Sequence, residues 1–197
     1  MKRPMIVLNI LILLLIALPC YAGAPLEAVK SNVNKVLEVL RDPKLKAASD
    51  KTVEKEKLRL IYEGMFDDVE LAKRTLSRNW NSMNVAQRKE FVLLFRQVLE
   101  KAYIDKILAY TDEKILFERE NMVSETLAEV QTKIVMASKE IPIAYRVILK
   151  NGAWKVYDVV IENVSLVLNY RTQFNDILAK DPPEKLLEML RKKVKEQ

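Results

Sequence analysis

After histidine and cysteine are discounted, carboxylates are the side chains in this sequence that could support catalysis. The chain has no histidine and a single cysteine, Cys20, so imidazole bases, Cys–His nucleophile pairs and almost every zinc or copper site are excluded. Two carboxylates suffice for glycoside hydrolysis, and the candidate pairs are Glu118 with Glu120 and Asp158 with Glu162. The favoured interpretation is that these acids are solvated charges at the ends of strands.

Asp158 has the most unusual surroundings of these acids. In a regular strand it shares a face with two apolar residues, Val156 and Val160. A carboxylate in apolar surroundings needs a partner. We therefore predict that Asp158 forms an ion pair with Arg146 or Arg171, rather than acting as a catalytic acid.

Motifs for binding nucleotides or nucleic acids are absent from the sequence. With three glycines, Gly23, Gly64 and Gly152, neither a phosphate-binding loop nor a dinucleotide fingerprint can be built. The formal charge of +6 comes from 33 basic and 27 acidic residues. Such a mixture is typical of a solvated surface rather than a nucleic-acid interface, so we expect no nucleic-acid partner, no metal and no cofactor.

The N-terminus has the pattern of a secretory signal peptide. Two basic residues precede an apolar stretch from Met5 to Leu18, and Ala22 supplies a small residue before the expected cleavage point. The stretch is shorter than the roughly 20 residues of a spanning helix, which disfavours an uncleaved anchor, and the proline before Cys20 disfavours a lipoprotein. We predict a signal peptide over residues 1–22 and a single exported domain, without disulfides, over residues 23–197.

Helical periodicity dominates the first half of this domain and returns at its end. It predicts helices over residues 25–40, 58–65, 68–80 and 84–110, and two more after Ser165 and Pro183. The third helix is expected to be capped by Asp67 or Asp68 and to bury a stripe of Val69, Ala72, Leu76 and Trp80. Asn84 followed by Gln87 is typical of a capping box.

Between these helices the period changes to two, which is typical of strands. Strands are predicted over 115–118, 128–136, 141–149 and 154–161, with Asn151-Gly152 as a hairpin turn. Regular alternation gives each face of the last strand three apolar residues: Trp154, Val156 and Val160 on one, and Tyr157, Val159 and Ile161 on the other. The order of elements predicts an α+β fold, with a helical layer packed on a curved antiparallel β-meander. A strand that is apolar on both faces is either sandwiched or curled around a cavity, and composition alone favours a filled core.

The segment from Trp154 to Phe174 resembles the characteristic segment of the MlaC-like family. These are periplasmic phospholipid-binding proteins, also called toluene-tolerance auxiliary proteins. The resemblance rests on Val156-Tyr157-Asp158-Val159, Val164-Ser165, Asn169-Tyr170-Arg171 and Gln173-Phe174, with weaker upstream similarity at Phe66-Asp67, Trp80, Gln87-Arg88 and Phe91. Asn163 and Ser77 stand where the family commonly has glycine. Asparagine tolerates a left-handed backbone, so the first departure leaves the fold intact.

The resemblance implies a carrier, not an enzyme, that shuttles phospholipid across the periplasm between the outer and inner membranes. The implied partners are an inner-membrane ABC transporter with an MCE-type subunit and an outer-membrane lipoprotein complex, with only transient membrane contact. It also implies an internal apolar pocket between the helical layer and the sheet. Because a sixteen-carbon tail resists entering water by roughly 13 kcal/mol, such a carrier must cover it fully.

The pocket is expected to draw apolar side chains from both halves of the domain. The expected lipid contacts are Trp80, Phe91, Phe95, Val98, Val130, Ile134, Tyr145, Val147, Val156, Tyr157, Val160, Val167, Tyr170 and Phe174. Arg146 and Arg171 are the candidates to meet a phosphate head group.

Three other functions fit parts of the pattern. The first is a carrier of a different lipid, such as a hopanoid. The second is a periplasmic interaction or chaperone module with a filled core and no ligand. The third, a hydrolase built on carboxylates, would depend on Asp158.

Overall fold

The computed structural model of this chain describes residues 24–109 and 113–196. The predicted signal peptide lies outside the described residues, as does Tyr110, the predicted end of the long helix. Within the described ranges the elements are α1 (Ala24–Arg41), α2 (Pro43–Ala47), α3 (Thr52–Met65), α4 (Asp68–Leu76), a 3₁₀ helix (Ser77–Ser82), α5 (Val85–Leu108), β1 (Lys114–Ser124), β2 (Leu127–Val135), β3 (Glu140–Lys150), β4 (Ala153–Ile161), β5 (Val164–Ser165), α6 (Leu166–Leu178) and α7 (Pro183–Glu196).

Side-chain caps begin four of the described helices, α2, α4, α5 and α6. Asp67, Asn84 and Ser165 each accept a hydrogen bond from a backbone N–H in the first turn of α4, α5 and α6, which satisfies donors that the helix itself cannot. The predicted capping box at Asn84 is confirmed, since the Gln87 side chain also accepts from the Asn84 backbone N–H. Asp42 caps α2 in the same way, by accepting from the Lys44 backbone N–H, and Pro43 is the first residue of that helix.

The third helix is shorter than predicted, and its buried stripe differs. Val69 is 50% exposed and Leu71 is buried in its place, whereas Ala72 and Leu76 are buried as predicted. Helix α4 ends at Leu76, and Ser77 turns the chain with a φ of +52° into the 3₁₀ helix. The predicted stripe is therefore confirmed at Ala72 and Leu76 and wrong at Val69, and Trp80 lies beyond the end of α4.

The strands form one antiparallel sheet in the order β1-β2-β3-β4-β5, which confirms the α+β fold and the meander. Asn151 and Gly152 both have positive φ, at +51° and +77°, as a two-residue hairpin turn requires. Strand β1 lies at an edge of the sheet and extends to Ser124, beyond the predicted end at Glu118. Its second half, Arg119–Ser124, is largely polar, so the alternation of apolar and polar residues that marks a strand is weak there.

Apolar residues gather in two clusters. The first, here the sheet cluster, joins α1 to the sheet through Val29, Val33, Leu37, Met65, Ala128, Val130, Val147, Val156 and Val159. The second, here the helix cluster, joins α4, α5, α6 and α7 and includes Leu76, Phe91, Phe95, Val98, Val167, Tyr170, Phe174 and Leu187. Helices α4 and α6 also pack on β4. Strand β4 therefore lies between the two clusters and is covered on both faces.

A β-bulge in β4 overturns the predicted alternation of its faces. Arg146 pairs with Asp158 and Val147 with Val156, so Tyr157 is an extra residue in the strand. A bulge shifts every later side chain to the opposite face. Trp154 and Val156 consequently share the sheet cluster with Val159 and Ile161, while Tyr157 and Asp158 both point toward α4 and α6.

Candidate functional site

A half-open cavity of about 330 Å³ lies between β4 and the helices α4 and α6. Its walls come from the helices and from four strands: Arg74, Val123, Ala128, Glu129, Arg146, Tyr157, Asp158, Val167, Leu168 and Arg171. The two arginines predicted to meet a phosphate, Arg146 and Arg171, therefore face the same cavity, and a third, Arg74, joins them. A space at the boundary of the two clusters has both apolar and cationic walls.

Asp158 organises the wall where β4 meets α6. Its carboxylate is 2% exposed and accepts hydrogen bonds from the Ser165 hydroxyl at 2.7 Å and the Val167 backbone N–H at 3.0 Å. The Arg146 guanidinium donates to it at 3.1 Å, which confirms the predicted ion pair. Because three donors hold this carboxylate, it fixes the first turn of α6 and one branch of Arg146 together.

Glu129 is the second acid in the cavity wall. It lies opposite Arg146 on neighbouring strands, and its Oε2 accepts from the Arg146 Nε at 3.2 Å. Its Oε1 accepts from Gln131 at 3.0 Å. The hydrogen bond from Gln131 makes the largest contribution, and that from Arg146 adds to it. Together they hold the pKa of the Glu129 carboxyl below its usual range despite partial burial. Glu129 is therefore ionised at neutral pH.

Arg74 and Arg171 form the helical side of the cavity. The Arg171 Nε and Nη2 donate to the Arg74 backbone carbonyl at 3.0 and 2.7 Å. The Arg74 side chain pairs with Glu70 at 2.7 Å, and its guanidinium carbon lies 3.9 Å from the centre of the Tyr157 ring, a cation–π distance. Among the described residues Arg171 makes no ion pair, so it contributes an uncompensated positive charge.

The structure does not bring the predicted lipid contacts into one pocket. Of the apolar set, Tyr157 and Val167 line the cavity. Trp80, Phe91, Phe95, Val98, Val167, Tyr170 and Phe174 belong to the helix cluster, whereas Val130, Tyr145, Val147 and Val156 belong to the sheet cluster. Ile134 and Val160 are partly buried and are assigned to neither cluster. The expected lipid contacts are thus divided between the helix cluster and the sheet cluster, and the cavity lies where these two clusters meet.

Aromatic rings hold the helix cluster in a fixed geometry. The Phe95 ring lies edge-on to Tyr170 and Phe174, with centroids 5.0 and 5.4 Å apart, and Phe91 meets Phe174 at 5.6 Å. Edge-to-face pairs at these distances add to the free energy of burial. This core positions α6, and with it Arg171, against β4.

The carboxylates considered for catalysis have other contacts. Glu118 pairs with Lys133 at 3.0 Å, and Glu120 accepts from the Leu26 backbone N–H at 2.9 Å at the start of α1. Glu162 is exposed in the turn after β4, with a φ of +49°. In the part of the chain that the structure describes, acidic side chains form no group that could hold a metal ion, and no helix there is long and apolar enough to cross a membrane.

Arg74 and Glu129 are the cavity residues that sequence reasoning missed. Glu129 could have been found, because the alternating pattern of β2 and β3 with a short turn places it opposite Arg146. Nothing in the sequence brings Arg74 to Tyr157, since that contact depends on α4 packing on β4.

The fold and the cavity define a binding domain of the α+β class. The family model described as "MlaC protein" matches residues 30–192 of the chain. This chain therefore belongs to the MlaC family, which confirms the resemblance seen in the segment from Trp154 to Phe174.

The chain is also similar to one curated protein and, in its fold, to one solved structure. Over 99 residues the chain is 28% identical to the intermembrane phospholipid transport system binding protein MlaC of Haemophilus influenzae. That alignment covers 48% of this chain and 46% of the relative, so it spans about half the length of each. The fold is similar to that of a phospholipid-binding protein from Ralstonia solanacearum, solved in complex with a phospholipid, with a TM-score of 0.77, 20% sequence identity and coverage of 87% of this chain and 97% of that one.

Proposed function

We propose that this protein is a periplasmic carrier that holds a phospholipid and shuttles it between the outer and inner membranes. The observation that carries the proposal is the cavity between β4, α4 and α6, at which three arginines meet the boundary of two apolar clusters. The names of the relatives in Haemophilus influenzae and Ralstonia solanacearum agree with it.

The size and lining of the cavity suit a head group. About 330 Å³ is at the lower end of the range for small-molecule sites. Guanidinium groups bind phosphate oxygens in a fork that matches their geometry, and Arg171 has charge to offer. In this proposal the phosphate occupies the cavity.

The acyl tails would insert between strand β4 and the helix cluster. Val167 of the helix cluster and Ala128 of the sheet cluster both line the cavity, so tails that start at the head group meet apolar side chains at once. Parting α6 from β4 exposes apolar surface that the tails cover again, so the net free-energy change stays small while water is excluded. A carrier needs such a balance, since it must both take up and release its cargo.

The proposed partners follow from the intermembrane role. A carrier in the periplasm needs a donor and an acceptor, and we propose an ABC transporter with an MCE-type subunit at the inner membrane and a lipoprotein complex at the outer membrane. Transient contact with these complexes supplies direction and energy, and the carrier itself needs no catalytic group.

The test is to express the full chain in a Gram-negative host, fractionate the cells, purify the protein from the periplasm without detergent, and extract it with organic solvent. Mass spectrometry should find about one phospholipid per protein. An isoprenoid in the extract would instead favour a carrier of hopanoid-like lipids. An empty protein that also takes up nothing from phospholipid vesicles would overturn the proposal in favour of an interaction module.

A further inference from the structure

Charged side chains of both signs line the cavity, on the sheet side and on the helical side. On the sheet side, Arg146 contacts two carboxylates, Glu129 and Asp158, so this triad carries a net charge of −1. On the helical side, Glu70 compensates Arg74, and Arg171 makes no ion pair among the described residues. The helical wall therefore carries a net charge of +1.

We infer that the cavity selects a zwitterionic aminophospholipid head group, with its phosphate at Arg171 and its ammonium at Glu129. The inference rests on the proposed function and adds the class of lipid. A head group with one negative and one positive end matches both walls, whereas a head group that is only anionic matches one.

Arg171 has the geometry for the phosphate. Its Nε and Nη2 donate to the Arg74 carbonyl, which holds the guanidinium plane in place and leaves Nη1 for a ligand. A fixed guanidinium loses less entropy on binding a phosphate than a mobile one does.

Glu129 is the acid that an ammonium can reach. Asp158 is 2% exposed and already accepts from three donors. The Glu129 side chain is 24% exposed and accepts from Gln131 and Arg146, so two of the roughly four lone-pair sites of a carboxylate remain open. An ammonium has three donors to fill them, whereas the hydroxyls of a glycerol head group bring no charge.

The experiment loads the secreted protein from vesicles that contain equal amounts of phosphatidylethanolamine and phosphatidylglycerol with identical acyl chains. After the protein is separated from the vesicles, mass spectrometry gives the ratio of the two lipids and the total lipid per protein. We expect the wild type to favour the amine lipid roughly two- to five-fold, as for a partly exposed ion pair. Glu129→Gln should bring the ratio to about one, and Glu129→Asp should preserve the preference.

Two further variants separate charge from general effects. Arg171→Gln should lower the total lipid bound but leave the ratio near that of the wild type, because both lipids carry the phosphate. Glu118→Gln is the matched control, since Glu118 pairs with Lys133 on the sheet and does not line the cavity; it should change neither quantity.

The possible failures are distinguishable. A wild type that binds both lipids equally, or a Glu129→Gln variant that binds lipid with an unchanged ratio, overturns the inference and leaves the carrier function intact. A wild type that binds neither lipid overturns the proposed function, and the inference fails with it.

Discussion

Ser77 adopts a backbone conformation that a side chain disfavours. Its φ is +52° and its ψ is −124°, a region populated almost entirely by glycine because any Cβ crowds the neighbouring peptide groups. Ser77 is one of the two positions at which the family commonly has glycine. The strain therefore belongs to this chain's own substitution, not to the fold.

Replacing Ser77 by glycine should stabilise the protein. Relief of the strain outweighs the added freedom of the unfolded chain, and we expect the free energy of unfolding to rise by about 1 kcal/mol. Urea denaturation measures it. Asn163→Gly is the matched comparison, since Asn163 has a φ of +66° that asparagine tolerates, and it should change stability by no more than a few tenths of a kcal/mol. A Ser77→Gly variant less stable than the wild type would show that no strain is stored there.

Asp158 is expected to stabilise the fold, not to catalyse. Asp158→Asn removes the charge that compensates Arg146 and weakens the hydrogen bonds from Ser165 and Val167. Breaking a buried charged network should lower the free energy of unfolding by about 2–3 kcal/mol. Urea denaturation is the measurement, with Asp181→Asn at an exposed position as the control. Wild-type stability combined with lost function would revive the catalytic interpretation of this acid.

Among the elements, α4 is tied to the β3–β4 hairpin at its N-cap residue, Asp67. The Asp67 carboxylate accepts from the Glu70 backbone N–H at 2.9 Å and from the Lys150 Nζ at 2.5 Å. The Asp67 backbone N–H also donates to the Val156 carbonyl at 2.9 Å. One residue therefore caps the helix that carries Arg74 and docks it on the strand that carries Tyr157.

This connection should make stability depend on pH. Burial alone would raise the pKa of Asp67, but hydrogen bonds from Lys150 and Glu70 hold it below its ordinary range. The unfolded chain then binds a proton more readily than the folded one. The contribution is present above the unfolded pKa of about 3.9 and is lost as the pH falls through the lower folded value.

Asp67→Asn should therefore remove part of the loss of stability between about pH 5 and pH 2. Urea denaturation at a series of pH values gives the slope for the variant and the wild type. Lys150→Met should reduce the same slope from the other side of the ion pair, and Asp181→Asn should leave it unchanged. Equal slopes in all four proteins would mean that other carboxylates govern acid unfolding.

Features that are determined by neighbouring residues in the sequence could be predicted. Features that depend on how one strand pairs with another could not. The Asn84 capping box and the Asn151-Gly152 turn are set by neighbouring residues, and both are confirmed. The Tyr157 bulge depends on how β4 pairs with β3, so the alternation rule assigned Val159 and Ile161 to the wrong face.

The same distinction applies to the candidate site. That Asp158 pairs with an arginine, either Arg146 or Arg171, could be predicted because a carboxylate between valines requires a cation; the structure shows that the partner is Arg146. The position of Arg74 could not, since it depends on the angle at which α4 packs on β4. Residue types alone also could not show that the apolar residues divide into two clusters.

At the scale of the whole molecule, the boundary between the two clusters is the feature on which the carrier function depends. Val167 belongs to the helix cluster, is 4% exposed, and lines the cavity. Val98 is also buried in the helix cluster, at 0% exposure, but does not line the cavity. The two valines therefore offer a matched test of whether lipid passes this boundary.

Val167→Phe should fill part of the cavity and lower the lipid bound per protein several-fold, whereas Val98→Phe should leave it near the wild-type amount. Both changes add the same volume to a packed core, so both should lower stability by about 1–3 kcal/mol, and thermal unfolding checks that the two costs are similar. Lipid is then measured by mass spectrometry of each purified protein. If both variants carry a full complement of lipid, the tails do not pass between β4 and α6, and the arginines of this cavity have a role other than holding the head group. If Val98→Phe alone loses lipid, the tails lie within the helix cluster, which must then open between α5 and α6 instead.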